Sequence, residues 1–189
     1  ANTLIKVRLA RYSQRMLDEL AAAESIDYQQ VQRGALYLHR DAHELELGMR
    51  KLEVLAEAGL RAEALSPDDL ARIDPAFAAS AGSLAGAVYV PSDASGNSQL
   101  FTSTLAERCR DLGVEFRTGV TARRFVVDGN RVSSVQTDQG SLTADTFVLA
   151  LGIRSPFLSR TAGQSLPVYP VKGYSITVPI AHPDKAPTV

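Results

Sequence analysis

The sequence predicts an α+β protein with an α/β portion, so two kinds of architecture share one chain. Three observations support this class. In the 189-residue chain, apolar residues recur at helical spacing in three stretches, two alternating runs flank an Asp-Gly turn, and one almost wholly apolar run ends in a glycine. The helices and the hairpin suit an α+β domain. The apolar run suits a strand of a parallel sheet, which is buried on both faces.

The first part of the chain is predicted to alternate helix and strand. A first helix with one apolar face is followed by a strand at residues 30–39, which are rich in residues that favour a pleated surface. A second helix is expected to end at Gly59 in a left-handed C-terminal conformation. The apolar faces of the two helices consist of Ile5, Leu9, Tyr12, Met16 and Leu20, and of Leu45, Met49, Leu52 and Ala56.

A short helix and a short strand complete this part. Ser66 is placed to cap the helix, Pro67 to occupy its first position, and Asp69 to return the capping hydrogen bond. The Asp74-Pro75 pair is expected to end the helix. Residues 87–90 are predicted to form a strand.

The pattern changes at residues 91–97, a turn-rich segment. A third helix follows, which Gly113 is expected to end, and then a short strand at residues 114–116. Residues 120–127 and 131–137 alternate in polarity and are joined through Asp128-Gly129-Asn130, a strong signal for a β-hairpin. The apolar face of the third helix consists of Phe101, Leu105, Cys109 and Leu112.

Three elements are predicted after the hairpin. Residues 146–151 form the apolar run that Gly152 ends, and Ser155-Pro156 starts another helix. Residues 168–178 alternate loosely and are predicted to form a long strand.

Composition excludes several classes of function. The formal net charge is −1, which leaves no basic surplus for a nucleic-acid partner. Cys109 is the single cysteine, so the chain has no internal disulfide. His39 and His43 straddle a predicted strand-to-helix boundary, and no metal site is expected. The sequence contains neither the G-x-G-x-x-G dinucleotide motif nor a P-loop. Since the chain lacks an initiator Met and both ends interrupt a pattern, we expect an internal fragment of a longer protein.

Several motifs follow one another in a fixed order. They are GAVYVPSDASG at residues 86–96, a helix and strand at 105–116, ADTFVLALGIRS at 144–155 and LPVYPVKGYS at 166–175. In this order they resemble the D-amino-acid oxidase superfamily of FAD-dependent enzymes. RGALYL at residues 33–38 is similar to a substrate-domain strand of the D-amino-acid dehydrogenase branch.

The resemblance implies a partial FAD-binding, Rossmann-like domain joined to part of an antiparallel-sheet substrate domain. The expected divisions are a substrate-domain portion at 1–90, an FAD-domain portion with an inserted hairpin at 91–165, and a strand returning to the substrate domain at 166–189. The implied parent is an enzyme of amino-acid catabolism that oxidises D-amino acids to imines and transfers the hydride to FAD. The fragment is expected to be inactive alone and to retain FAD weakly or not at all.

Alternatives stay open at this stage. The substrate of a related flavoprotein would be sarcosine, glycine or a glycerol phosphate, and the electron acceptor a quinone, a carrier or oxygen. A complete, non-enzymatic α+β interaction module would explain the missing phosphate motif, but not the apolar run. We expect a cytoplasmic protein, with the parent peripheral to the inner membrane as an open alternative.

The candidate cofactor residues lie at predicted strand ends. Gly152 ends the apolar run, where open α/β sheets bind ligands, and the main chains of Ala150 and Leu151 lie beside it. Val120 is expected to offer backbone groups to an adenine edge.

Further candidates come from the other strands. Lys172 and Gly173 lie on a strand that heads towards the flavin ring in the enzymes that this chain resembles. Tyr37 and Tyr89 are candidate substrate-pocket residues, and no catalytic residue is assigned.

Overall fold

A computed structural model describes residues 2–56 and 59–188, which divide into two compact units. Unit 1 comprises Ala1–Val114 and Pro179–Val189, and unit 2 comprises Glu115–Val178. Within the described residues the α-helices of unit 1 are α1 (Asn2–Ala23), α2 (Ala42–Ala56), α3 (Pro67–Ile73) and α4 (Ser98–Asp111), and its strands are β1 (Ala35–His39), β2 (Glu63–Leu65) and β3 (Gly86–Val90). Three short 3₁₀ turns complete its secondary structure there.

The strands of unit 1 form one antiparallel sheet in the order β1-β3-β2. Val88 pairs with Tyr37 of β1 on one side and with Ala64 of β2 on the other. Because β3 is the central strand, Val88 and Val90 are almost completely buried. The predicted strand at 87–90 is confirmed in β3, and the strand predicted at 30–39 is confirmed only in its second half, where β1 spans Ala35–His39.

A second apolar cluster of unit 1 joins α1 to α4. Ala21, Ile26 and Tyr28 are buried, and Leu17, Phe101 and Leu105 pack against them. The rings of Tyr28 and Phe101 meet edge to face, with their centroids 5.3 Å apart. Phe101 and Leu105 belong to the apolar face predicted for the third helix, so that face supplies this part of the core. The face predicted for the first helix is wrong, because Leu17 and Ala21 pack here whereas Ile5, Leu9, Tyr12 and Leu20 are exposed.

The residues predicted to start and end helix α3 act as predicted. The Ser66 side chain accepts a hydrogen bond from the Asp69 backbone N–H at 3.2 Å, and the Asp69 carboxylate accepts one from the Ser66 backbone N–H. Asp74 caps the end of α3 and is buried, and it also accepts a hydrogen bond from the Thr188 hydroxyl at 3.2 Å. Thr188 thereby belongs to unit 1.

Unit 2 contains a three-stranded antiparallel sheet and a short helix. The strands are β4 (Ala122–Asp128), β5 (Arg131–Thr137) and β6 (Gly140–Thr143), paired in that order, and the helix is α5 (Ser155–Arg160). The predicted hairpin is confirmed, since Asp128 pairs with Arg131 across the turn and Gly129 has a φ of +59°. Phe125 and Leu158 are among the buried residues of this unit.

Three strand predictions are wrong. Residues 114–116, 146–151 and 168–178 form no strand in the structure. Any strand needs hydrogen-bonded neighbours, and the described residues supply none for these segments. As a result Val148 is 87% and Val171 95% exposed.

Candidate cofactor site

A cavity of about 590 Å³ in unit 2 is the candidate site. It lies between residues 120–123, where β4 begins, and residues 151–158, which lead from the apolar run at 146–151 into α5. The lining residues are Val120, Thr121, Ala122, Arg123, Leu151, Ile153, Arg154, Phe157 and Leu158. All of them lie in two short stretches of the chain, so local geometry decides the shape of the cavity.

The first wall is fixed by hydrogen bonds around Thr121. The Thr121 backbone N–H donates to the Asp138 carboxylate at 2.9 Å, and the Asp138 N–H donates back to the Thr121 carbonyl at 3.1 Å. The bond from the Thr121 backbone N–H is the main reason that the pKa of the Asp138 carboxyl lies below its usual range, and the charge of Arg123 contributes less. The chain that carries Val120 is therefore held against the loop between β5 and β6.

The second wall is a tight turn at Gly152. Gly152 has a φ of +54°, a conformation that favours glycine, and a built Cβ would meet no atom within 4 Å. The Leu151 backbone N–H donates to the buried Ser155 hydroxyl at 3.2 Å, and a single 3₁₀ turn spans Gly152–Arg154. The backbone at Gly152 thus faces open space beside the cavity.

Helix α5 is anchored to β4 behind the cavity. The Phe125 backbone N–H donates to the Thr161 hydroxyl at 2.9 Å, and that hydroxyl donates to the Leu158 carbonyl at 2.6 Å. The ring of Phe125 also meets Phe147 edge to face at 6.2 Å. Since Leu158 is buried against β4, the cavity has a fixed floor.

The structure brings together some of the predicted cofactor residues. Val120 and Leu151, which are 31 positions apart in the chain, line the same cavity, and Gly152 adjoins it. Ala150 immediately precedes this turn and is exposed. These four residues were expected at the ends of two strands, and they lie close together although residues 146–151 form no strand.

Lys172 and Gly173 lie elsewhere in unit 2. The Lys172 ammonium group lies 5.1 Å from the centre of the Tyr174 ring, and Tyr174 is 86% exposed. Neither Lys172 nor Gly173 is among the residues that line the cavity. Their proximity to a flavin ring stays a prediction.

The two candidate pocket tyrosines lie on neighbouring strands of unit 1 and have different partners. The Tyr89 hydroxyl donates to the Arg33 carbonyl at 2.9 Å, which ties β3 to the start of β1. The Tyr37 hydroxyl donates to the Asp93 carboxylate at 3.4 Å. Partial burial, followed by the charge of Asp93, raises the pKa of Tyr37. Tyr37 is therefore held as a neutral donor beside a carboxylate.

Asp93 also lines a cavity of about 430 Å³ in unit 1, between α1, residues 93–96 and the start of α4. Tyr28 lines the same cavity, and its buried hydroxyl has no hydrogen-bond partner within residues 2–56 and 59–188. Desolvation raises the pKa of Tyr28, and the charge of Asp18 adds to the effect. The lining of the cavity combines polar residues with the aromatic residues Tyr28 and Phe101.

Sequence reasoning missed several residues of the unit 2 cavity. Arg123, Arg154, Phe157 and Ile153 line it, but none of them was singled out from the sequence. The available signal was that each of them lies within five residues of Val120 or Gly152, because residues close in sequence to a binding turn also lie close to it in space.

Comparison with known proteins decides the family. Residues 2–189 match the family described as FAD dependent oxidoreductase (DAO). The chain belongs to this family. The resemblance drawn from the motifs is therefore confirmed, and with it the association with FAD.

Curated relatives and solved structures agree with the family assignment. The chain is 42% identical over 188 residues to a D-amino acid dehydrogenase of Paramagnetospirillum magneticum, a match that covers 100% of this chain and 44% of that protein. It is 42% identical over 181 residues to a D-amino acid dehydrogenase of Allorhizobium ampelinum, covering 96% of this chain and 43% of that protein. The chain thus spans less than half the length of these relatives.

The fold class is also confirmed. The crystal structure of glycine oxidase from Geobacillus kaustophilus superposes with a TM-score of 0.71 at 22% identity, covering 88% of this chain and 45% of that chain. Helices with antiparallel sheets in this arrangement form part of the FAD-binding fold. At this identity the likeness concerns the fold alone.

The unit 2 cavity fits part of an FAD molecule. Its walls include the apolar side chains of Leu151 and Ile153, and the open backbone at Gly152 permits close approach of a cofactor.

Two further findings concern metal binding and membrane-spanning helices. Among residues 2–56 and 59–188, no cluster of His, Cys, Asp or Glu could hold a metal ion. No helix in that part of the chain is long and apolar enough to cross a membrane.

Proposed function

We propose that the complete protein is an FAD-dependent dehydrogenase that oxidises D-amino acids. The observation that carries this proposal is the 42% identity, along the whole chain, to a protein named D-amino acid dehydrogenase. The proposed reaction removes two electrons and two protons from the Cα–N unit of the substrate and gives an imine. Water then hydrolyses the imine to a 2-oxo acid and ammonia.

FAD supplies the hydride acceptor of this reaction when it is bound. The unit 2 cavity would hold part of the cofactor, not the substrate. Val120, Ala150, Leu151 and Gly152 are proposed to contact its adenosine side through the main chain, because three of them line or adjoin one cavity. The hydrogen bonds of Thr121 and Ser155 keep both walls of that cavity in place.

The remaining candidates are proposed to act on the flavin and substrate side. Lys172 and Gly173 are proposed to lie near the flavin ring, where a lysine would stabilise negative charge on the reduced cofactor. Tyr37 and Tyr89 are proposed to border the substrate pocket. Tyr37 supports this proposal best, since the residue is 51% exposed while its hydroxyl is held by Asp93.

The test is a substrate screen of the complete gene product, purified with added FAD. Reduction of an artificial electron-accepting dye would be measured with D- and L-alanine, other D-amino acids, sarcosine, glycine and a glycerol phosphate. We expect dye reduction with D-amino acids and little with the L-enantiomers. Oxygen consumption, measured in parallel without dye, should be slow, because a dehydrogenase passes electrons to a quinone or a carrier.

Two results would contradict the proposal. Turnover of sarcosine or glycine in preference to every D-amino acid would assign the protein to another branch of the family. A lack of turnover with all substrates, by protein that holds stoichiometric FAD, would remove the proposed activity altogether. Heat-treated protein from the same preparation serves as the control for non-enzymatic dye reduction.

A further inference from the structure

The unit 2 cavity has an unbalanced charge. Two arginines, Arg123 and Arg154, line it, and no Asp or Glu is among its lining residues. Neither arginine forms an ion pair within the part of the chain that the structure describes. Arg123 does interact electrostatically with Asp138, outside the lining, so Arg154 carries the less compensated charge. The cavity therefore favours an anion over a cation.

Two of its apolar residues are largely exposed. Phe157 is 69% exposed and Ile153 is 56% exposed, although both lie on the wall of the cavity. An exposed aromatic ring offers a flat apolar surface, on which a heterocyclic base can stack. Aromatic and cationic side chains in one cavity are the combination that recognises a nucleotide.

A neighbouring cavity provides the contrast. It shares Val120 and Ala122 with the first cavity and also contains an arginine, Arg117. The Arg117 guanidinium, however, is held by Glu115 through two hydrogen bonds of 2.7 and 3.3 Å. That cavity therefore presents a compensated charge, which distinguishes the cavity of Arg123 and Arg154 as the one suited to phosphate.

We propose that Arg123 and Arg154 bind the diphosphate of FAD and that Phe157 stacks on its adenine, so that the cavity recognises the ADP half of the cofactor. This inference rests on the proposed function for the identity of the ligand. It adds a means of phosphate recognition that the sequence did not indicate. These residues contain no G-x-G-x-x-G motif, so the contribution of unit 2 to phosphate binding comes from the arginine side chains.

The test measures cofactor affinity, not turnover. Flavin-free complete gene product would be titrated with FAD, and flavin fluorescence would be followed at several salt concentrations. Arg123→Gln and Arg154→Gln should each raise the Kd for FAD roughly tenfold, the size expected for loss of one charge-assisted hydrogen bond. ADP should compete with FAD, and competition should weaken by the same factor in each variant. Phe157→Leu, which keeps an apolar side chain but removes the ring, should weaken ADP and FAD together.

The matched control is Arg131→Gln. Arg131 is an exposed arginine at the start of β5 that does not line the cavity, and its loss should leave the Kd unchanged. Riboflavin, which lacks the ADP half, should bind all arginine variants as it binds the wild type. Circular dichroism spectra would confirm that each variant is folded.

The outcomes separate this inference from the proposed function. An FAD affinity within twofold of wild type in both arginine variants would overturn the inference, whatever the substrate screen shows. Equal weakening of riboflavin and FAD would overturn it as well, since the arginines would not act on the phosphates. A tenfold loss of FAD affinity in a protein without D-amino-acid turnover would sustain the inference and refute the function.

Discussion

At the residue scale, two glycines of unit 2 share a backbone conformation but differ in location. Gly152 and Gly129 have φ values of +54° and +59°, and a Cβ built at either would meet no atom within 4 Å. Gly152 adjoins the candidate cavity, whereas Gly129 lies in the hairpin turn between β4 and β5. The same substitution at both glycines therefore distinguishes a loss of stability caused by backbone strain from a loss of cofactor binding.

We predict that Gly152→Ala and Gly129→Ala each lower the free energy of unfolding by about 1 kcal/mol, because alanine resists the left-handed conformation. Only Gly152→Ala should weaken FAD binding, since its methyl group would occupy space beside the cofactor. Denaturant titration and FAD titration of both variants of the complete gene product check this. Equal FAD affinities in the two variants would remove Gly152 from the cofactor site.

Part of the candidate site follows from the sequence together with the family resemblance. Leu151 stands at a predicted strand end, the resemblance favours Val120 as a cofactor residue, and both line one cavity. Arg123 and Phe157 were not selected, because an arginine or phenylalanine in a polar-apolar pattern is indistinguishable from a surface or core residue. Only the turn at Gly152 and the anchoring of α5 to β4 bring these side chains to a common wall.

At the element scale, helix α3 shows how far a short local signal determines structure. The helix has only seven residues, and its start is stabilised by the reciprocal hydrogen bonds of Ser66 and Asp69. We predict that Ser66→Ala lowers the free energy of unfolding by about 1 kcal/mol, the usual cost of a lost N-cap. Urea denaturation, followed by circular dichroism, measures the change.

Ser103→Ala is the matched control for this variant. Ser103 lies inside α4, and its hydroxyl donates to the Leu100 carbonyl of the same helix. The same chemical change there should be neutral or slightly stabilising, because alanine is the better helix former. Equal destabilisation by both variants would show that the cap of α3 contributes nothing specific.

The cap also makes a pH dependence predictable. The hydrogen bonds from Ser66 hold the pKa of Asp69 below its usual range, with the charge of Arg72 as a smaller contribution. A carboxyl with a depressed folded-state pKa stabilises the fold above its unfolded pKa of about 3.9, and the contribution is lost as pH falls through the folded value. Part of the difference between wild type and Ser66→Ala should therefore disappear in acid; a difference that grows there would contradict this account.

Elements with short-range signals were predicted correctly, and elements that need distant partners were not. The hairpin at Gly129 and the capped helix α3 are specified by four or five consecutive residues, and both are present. The strands predicted at 114–116, 146–151 and 168–178 depend on hydrogen bonds to neighbouring strands, and the described residues contain no such neighbours. An apolar pattern indicates that a segment will be buried, but it does not indicate which other segment of the protein covers it.

At the scale of the whole molecule, much apolar surface lies exposed in unit 2. Val171, Ile176 and Val148 are 95, 87 and 87% exposed, values unusual for such side chains in a folded protein. The relatives are more than twice as long as the matched region, since it covers 44% of one and 43% of another. We therefore expect these side chains to be covered in the complete protein.

We predict that the 189-residue chain, produced alone, retains little or no FAD. Its sequence contains no G-x-G-x-x-G motif, and the cavity of unit 2 offers contacts to only part of the cofactor. Gel filtration after incubation with FAD, with absorbance recorded in the flavin band, measures retention. The complete gene product, treated identically, is the control; a stoichiometric flavin band that travels with the shorter chain would contradict the prediction.

The order of residues along the chain differs from their grouping in space. Unit 2 is an uninterrupted stretch inserted into unit 1, which resumes at Pro179 and is fastened through Thr188 to the buried carboxylate of Asp74. A truncation after residue 178 would remove Thr188. It should therefore destabilise unit 1, which contains Asp74, more than unit 2, which ends at the truncation point. Deletion boundaries and fusion sites for this protein are better chosen by unit than by distance from the C-terminus.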